Sequence, residues 1–199
     1  MVKRSKSLSK VQQDLFCDDL PSKPLPRIGK ILVAGASGYI GGRLVPELLA
    51  RGYEVRVAVR GNADGYRLTW PDAEVVEADA LNVEQLREAL EGIDTAYYLI
   101  HSLQLGPTDF EAADMKAAAN FRYAASHCRI RRIIYLGGLG DIRLPLSSHL
   151  RNRMEVATEL VMGGVPVTIL RAAIIIGSGS ASYEMIQHLV RKLPIIPVP

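Results

Sequence analysis

Residues 30–41 read KILVAGASGYIG, an apolar run followed at once by glycines at positions 35, 38 and 41. The run at 30–34 predicts a buried strand, and the apolar spacing of 41–51 predicts a helix behind the glycines. In such a turn the first glycine permits a sharp change of direction, the second lets the backbone approach a pyrophosphate, and the third lets the helix pack closely. Free N–H groups at the helix start attract phosphates. The stretch predicts a dinucleotide site, against the alternative of a glycine-rich turn without a ligand, at Gly35, Ser37, Gly38, Tyr39, Ile40 and Gly41.

The chain beyond this turn alternates short β-rich runs with helical patterns. Further strands are predicted at 54–59, 74–77, 95–100, 132–136 and 167–172, and further helices at 83–90, 109–127, 149–162 and 181–192. Strands this apolar, each followed by a helix, form a parallel sheet that is covered on both faces. The predicted fold is therefore α/β, a Rossmann-type doubly wound parallel sheet of about six strands with helices on both faces.

The positive charge of the chain is concentrated at its start. Residues 1–30 carry a net charge of +4, whereas residues 31–199 carry −1. A nucleic-acid-binding domain would carry its basic patch on the folded part, so no nucleic-acid partner is expected. We expect residues 1–29 to be a flexible basic leader and residues 30–199 to be a dinucleotide-binding domain. The apolar, proline-rich residues 193–199 lead into no further element, which suggests a domain truncated at its C-terminus.

Cysteine and apolar patterns exclude other classes of protein. Cys17 and Cys128 form no CxxC or Cys/His cluster, so neither a disulfide scaffold nor a metal site is expected. The longest apolar run, 165–176, is interrupted by Arg171 and is too short to span a membrane. The leader lacks the apolar stretch of a secretory signal, so a cytoplasmic protein is expected.

The end of the second predicted strand indicates which dinucleotide fits. An NAD-preferring site has a carboxylate there, which binds the adenosine ribose. Here the strand ends at Arg60, with Arg56 inside it. A guanidinium suits a 2′-phosphate, so NADP is favoured over NAD; a solvated loop charge is the structural alternative for Arg60. After the third strand, Asp79 and Ala80 are candidates for contact with the adenine amino group, against an ordinary loop aspartate.

Several segments resemble the atypical short-chain dehydrogenases, and within them the NmrA-like branch and its bacterial NAD(P)-binding oxidoreductase-like relatives. These segments are GASGYIG (35–41), YLIHSL (98–103), IIYLGGLG (133–140), LSSHLRNRMEV (146–156) and VPVTILRAAIIIGSGSASYEM (165–185). The resemblance covers residues 30–199. It implies an NAD(P)-dependent oxidoreductase acting on a small molecule, for which Arg60 favours NADP, and a homodimer through the long helices is common in the superfamily.

The resemblance also implies a catalytic serine after the fifth strand and a Tyr-x-x-x-Lys on the next helix, and the chain departs from both. Gly137 and Gly138 stand at the serine position, and the Tyr-x-x-x-Lys register falls on His149 and Arg153. These two share a helix face, and histidine can donate a proton at neutral pH. They are the catalytic candidates, against the alternative of surface or helix-start residues. His101, after the fourth strand, is expected to line the cofactor or to cap the strand.

Two further positions lie near the predicted pocket. Residues 177–180 follow the sixth strand, where the nicotinamide half of such a pocket is built, and their permissive backbone suits close approach to a ligand. Asn120, in the middle of the longest helix, resembles a polar position that faces the site in the superfamily, but it is expected to face solvent.

Two functions follow from these observations. The first is an NADP(H)-dependent oxidoreductase with an unusual proton donor. The second is a non-catalytic NADP-binding redox sensor or scaffold for a protein partner, which the missing Ser, Tyr and Lys favour. The glycine turn serves both functions, so it does not choose between them.

Overall fold

The computed structural model describes residues 23–25, 27–101, 109–140 and 147–192. Its strands are β1 (Ile31–Ala34), β2 (Val55–Val59), β3 (Glu74–Glu77), β4 (Thr95–Tyr98), β5 (Arg132–Gly138) and β6 (Val167–Ala172). Its helices are α1 (Tyr39–Ala50), α2 (Ala63–Thr69), α3 (Val83–Leu90), α4 (Asp109–His127), α5 (Ser148–Val161) and α6 (Ala181–Lys192). Strands and helices alternate along the described chain, as the sequence predicts.

The six strands form one parallel sheet in the order β3-β2-β1-β4-β5-β6. The predicted doubly wound sheet is confirmed. The strand order reverses between β1 and β4, and in open α/β sheets ligands bind in the crevice outside the carboxyl ends of the strands at such a point. The glycine turn follows β1 and His101 follows β4, so both lie at this crevice.

Alternate side chains of the strands enter two separate hydrophobic cores. On β1, Leu32 and Ala34 pack into one core, and Ile31 and Val33 into the other. The first core also takes apolar side chains from α3, α4 and α5, whereas the second takes side chains from α1 and α2. The period-two alternation of a strand thus accounts for the helices on both faces.

The structure adds one helix that the sequence pattern does not predict, ends β4 earlier than predicted and extends β5 to Gly138. Helix α2 has only seven residues and no apolar stripe; the ring of Tyr66 stacks on buried Trp70 behind it, with centroids 5.3 Å apart. Strand β4 ends at Tyr98, two residues before the predicted end, because its pairing with β1 ends where β1 turns away at Ala34.

Candidate functional site

Two of the three glycines in the turn after β1 are required by the packing of the protein itself. Gly35 has a φ of +89°, and a Cβ there would lie 2.6 Å from the carbonyl oxygen of Leu99. A Cβ on Gly41 would lie 2.5 Å from the Cα of Ala36. Any larger residue at these two positions would therefore displace backbone atoms.

Gly38 differs from its two neighbours in the motif. Its φ is −78°, which any residue adopts, and it is exposed. Among the described residues, a Cβ there would meet only the carbonyl oxygen of Gly35, at 3.3 Å. Internal packing therefore makes only a weak demand for glycine at this position, and the open space above Gly38 is where a ligand could approach the backbone.

The start of α1 carries no cap of its own. Gly38, the N-cap residue, offers no side-chain hydrogen bond, and the first turn holds no acidic residue. By contrast, Asn82 caps α3 and Ser147 caps α5 through their side-chain oxygens. The first N–H groups of α1 and its positive dipole end are therefore available to an anion. Ser37 is exposed beside them and Ile40 is half-buried in the first turn, so the predicted set lies at one helix start and fits a pyrophosphate.

Tyr39 connects the glycine turn to the loop after β6. The guanidinium of Arg43 lies 3.7 Å from the centre of the Tyr39 ring and donates a hydrogen bond of 2.5 Å to the carbonyl oxygen of Ser178. A Cβ on Gly177 would overlap the Tyr39 hydroxyl. The loop 177–180 thus lies against the start of α1. Sequence reasoning missed Arg43, because its partner is 135 residues away and leaves no local signal.

The two arginines of the second strand region have different surroundings. Arg56 forms an ion pair with Glu74 at 2.9 Å and donates hydrogen bonds to the carbonyl oxygens of Ala89 and Glu91 at 2.9 and 2.8 Å. The hydrogen bond from this guanidinium is the largest contribution to the lowered pKa of Glu74. Arg60, at the carboxyl end of β2, is exposed and makes no hydrogen bond or ion pair with the described residues. Of the two, only Arg60 has a guanidinium free to meet a phosphate.

Asp79 and Ala80 are part of a turn with several internal hydrogen bonds. The Asp79 carboxylate accepts from the Leu81 N–H at 2.9 Å, and the Asp79 N–H donates to the side chain of Gln85 at 2.8 Å. The Ala80 carbonyl accepts from the side-chain amide of Asn120 at 3.0 Å. The expectation that Asn120 faces solvent is therefore wrong, because its amide ties α4 to this turn.

A cluster of three titratable side chains lies at the carboxyl end of β4. The Nδ1 atom of His101 lies 2.9 Å from a carboxylate oxygen of Asp114, which is only 3% exposed. The ring of His149, from the first turn of α5, lies with its centre 5.0 Å from that of His101. Within the described chain, Nε2 of His101 is buried and has no hydrogen-bond partner. The structure thus brings His101 and His149 together and adds Asp114, which sequence reasoning did not find.

Arg153 belongs to the same neighbourhood but points toward β5. Its guanidinium donates to the carbonyl oxygen of Leu136 and lies 5.2 Å from the centre of the Tyr135 ring, whose hydroxyl donates to the Arg153 carbonyl at 3.0 Å. Burial, then the facing His101, then Arg153 lower the pKa of His149. The neutral imidazole is therefore the favoured form of His149.

Neither a metal centre nor a membrane helix is found in the parts of the chain that the structure describes. No group of three or more His, Cys, Asp or Glu side chains in these parts is placed to hold a metal ion. None of the helices there is long and apolar enough to cross a bilayer.

Comparison with known proteins agrees with this geometry. A family model described as NAD(P)H-binding matches residues 35–187. The 3-beta-hydroxysteroid dehydrogenase of Mycolicibacterium neoaurum is 29% identical over 154 residues, which cover 67% of this chain and 41% of that protein. The chain spans less than half the length of the curated relatives it matches.

Two solved structures share the fold. The NADPH-dependent quinone oxidoreductase QOR2 from Escherichia coli, complexed with NADPH, is 26% identical with a TM-score of 0.58; the match covers 71% of this chain and 48% of that one. The Bordetella bronchiseptica enzyme WbmG, in complex with NAD, has a TM-score of 0.69 at 18% identity, covering 84% of this chain and 62% of that one. The relatives are of the short-chain dehydrogenase type, as the sequence resemblance implies.

Proposed function

Because the chain belongs to the NAD(P)H-binding family, we propose that it is an NADP(H)-dependent oxidoreductase of the atypical short-chain dehydrogenase type that acts on a small molecule. One observation carries the proposal. An uncapped helix start with an open glycine at position 38 lies beside a histidine cluster, at the point where the strand order reverses. The first feature suits the dinucleotide, and the second suits a proton transfer next to it.

Different residues around the crevice would bind different parts of the cofactor. The backbone of Gly35, Ser37 and Gly38, with the first N–H groups of α1, would hold the pyrophosphate. Arg60 would bind a 2′-phosphate, since its guanidinium is exposed and has no partner among the described residues. Asp79 and the neighbouring Ala80 would meet the adenine amino group.

The nicotinamide, when bound, supplies or accepts a hydride. The remaining task of the protein is to move a proton to or from the substrate oxygen. His149 stands at the register of the tyrosine that the superfamily uses, and its lowered pKa makes it neutral at pH 7. Arg153 lies one turn further along the same helix and keeps a positive charge near His149. This pair is the candidate for the proton transfer that the sequence register supplies.

Titration with NADPH and NADH, followed by nucleotide fluorescence, tests the cofactor. We expect NADPH to bind more tightly, and we expect Arg60→Asp to reverse or abolish that preference. The matched control is Arg132→Asp, which makes the same charge change at the amino end of β5. Failure of the wild-type protein to bind either nucleotide would refute the proposal, and an unchanged preference in Arg60→Asp would refute the phosphate contact.

A pair of glycine variants tests the position of the pyrophosphate. Gly38→Ala should weaken nucleotide binding by at least tenfold, because its methyl group enters the space that the phosphates would use. Gly42→Ala is the control, since a Cβ there would meet only the Ala36 carbonyl oxygen, at 3.6 Å. Equal binding by both variants would argue against this position.

The second candidate function is a non-catalytic NADP-binding sensor or scaffold for a protein partner. It is favoured by the carboxyl end of β5, where Gly137 and Gly138 supply no hydroxyl group. Oxidation of NADPH with a panel of aldehydes, ketones and quinones distinguishes the two functions. Turnover supports the enzyme, whereas tight binding without turnover supports the sensor.

A further inference from the structure

We propose that His101 is the residue that exchanges a proton with the substrate oxygen, and that Asp114 is its positioning residue. This inference rests on the proposed oxidoreductase function. It differs from the pair that the sequence suggests, because it assigns the proton transfer to the end of β4 and not to the start of α5.

The carboxylate of Asp114 orients the His101 ring. Asp114 is buried in α4, and its carboxylate lies 2.9 Å from Nδ1 of His101. An ionised carboxylate only accepts hydrogen bonds, so Nδ1 must carry the hydrogen. The tautomer is thereby fixed, and Nε2 is the nitrogen left for chemistry.

Nε2 is the second nitrogen of the His101 ring. This atom is buried and has no hydrogen-bond partner among the described residues, whereas buried polar atoms in folded proteins are normally paired. A substrate oxygen bound at Nε2 would satisfy it. The carboxylate behind the ring would then stabilise the imidazolium form that a proton transfer creates.

The location of His101 in the fold also suits proton transfer to a bound ligand. A Cβ on Gly35 would touch the Leu99 carbonyl and, at 3.0 Å, the Ile100 N–H nitrogen, so the glycine turn packs directly on the two residues that precede His101. Bound dinucleotide and His101 would therefore share the crevice between β1 and β4, which is where ligands bind in open α/β sheets.

The other titratable groups around the cluster are less suited to the task. Burial raises the pKa of Tyr135, from β5, to about 12, and raises the pKa of Tyr98, on β4, still further. These phenols are therefore poor proton donors near pH 7. From α5, Arg153 binds the Leu136 carbonyl, and His149, with its lowered pKa, stays neutral against the His101 ring. By contrast, Nδ1 of His101 lies 2.9 Å from the Asp114 carboxylate.

The proposed step balances in both directions. In oxidation, the O–H bond of the substrate breaks and an N–H bond forms at Nε2 of His101. The electron pair of the substrate C–H bond leaves as hydride to the oxidised nicotinamide, and the C=O bond forms. The imidazolium then releases its proton to solvent. Reduction follows the same path in reverse, with the proton passing from Nε2 to the carbonyl oxygen.

Four variants of the full chain test this inference, each measured for NADPH binding and for NADPH oxidation with the aldehyde, ketone and quinone panel. His101→Gln should lower turnover by at least 100-fold while changing NADPH affinity less than threefold. Asp114→Asn should lower turnover about 10- to 100-fold. His188→Gln, which removes an exposed histidine of α6, is the control and should behave as wild type. His149→Gln tests the competing assignment.

A readout independent of activity comes from nitrogen NMR of histidine side chains. The chain has only four histidines, so single variants assign every signal. We expect His101 to hold the Nδ1–H tautomer, and Asp114→Asn to shift it toward the Nε2–H form. The inference is overturned by an Nε2–H tautomer in the wild type, by full turnover in His101→Gln, or by a turnover loss confined to His149→Gln. NADPH binding without any turnover would overturn it as well, whereas absence of NADPH binding would refute the proposed function itself.

Discussion

The turn after β1 and the turn after β3 are both strand-to-helix connections on the carboxyl edge of the same sheet, yet their polar groups differ in what satisfies them. At the second turn, Asn82 accepts from the N–H groups of Glu84 and Gln85, and Asn120 binds the Ala80 carbonyl. At the first turn, the N-cap residue Gly38 offers no side-chain hydrogen bond to the helix, and it is exposed among the described residues. A turn that satisfies its own polar groups serves the fold, whereas a turn that leaves them open is suited to a ligand.

Among the variants that test this difference between the two turns, Gly41→Val is expected to have the largest effect on stability. The new side chain would overlap the Cα of Ala36 and the carbonyl of Gly35, so helix α1 would have to move away from β1. We expect the free energy of unfolding to fall by about 3 kcal/mol, measured by urea denaturation. Gly42→Ala should leave it nearly unchanged. An unaltered urea midpoint in Gly41→Val would mean that the third glycine is not a packing requirement.

The two arginines near β2 show the same contrast between groups that the protein itself binds and groups that are open to a ligand. The Arg56 guanidinium is bound by the protein, whereas that of Arg60 has no partner among the described residues. Arg56→Ala removes the donor that binds the carbonyl groups of Ala89 and Glu91, and it leaves Lys30 as the remaining ion-pair partner of Glu74. We expect a loss of about 2 kcal/mol in unfolding free energy, with the NADPH/NADH preference unchanged. If Arg56→Ala changed the NADPH/NADH preference without lowering the unfolding free energy, Arg56 and not Arg60 would be the residue that binds the 2′-phosphate.

Asn82→Ala tests the cap of the closed turn. It removes the oxygen that accepts from Glu84 and Gln85, and we expect the unfolding free energy to fall by about 1 kcal/mol. Thermal or urea denaturation measures the loss, and NADPH affinity serves as the control because the cap is not at the pyrophosphate. If stability were unaffected, the capped and uncapped helix starts would not differ in the way described.

The smallest effect concerns His149 and pH. The folded pKa of this imidazole lies below its usual value of about 6.5, so the unfolded chain binds more protons and stability rises with pH. Stability should therefore be lost as the pH falls through about 6.5, and His149→Gln should lose less than wild type between pH 7.5 and 5.5. Urea midpoints across this range measure the difference. A parallel decline in both proteins would contradict the lowered pKa.

Much of the fold could be predicted from the sequence because its signals are local. Apolar runs and helical spacing identified six strands and five helices, and the glycine spacing identified the turn after β1. Helix α2 was missed because its seven residues have no apolar stripe and its end packs through Tyr66 and Trp70. Asn120 was misjudged because its partner, the Ala80 carbonyl, lies 40 residues away.

The sequence by itself determined the strand–helix alternation, the glycine turn and the absence of the usual serine, tyrosine and lysine. These depend on side-chain type and spacing along the chain, which any folded state of this sequence must keep. Only the tertiary structure decided which polar groups are already bound. In the folded protein, Arg56 forms an ion pair with Glu74, whereas Arg60 is exposed. Asp114 of α4 lies beside His101, which follows β4, and His101 in turn contacts His149 of α5. These side-chain contacts depend on the register of strands and helices in three dimensions, so they cannot be predicted from the spacing of residues along the chain.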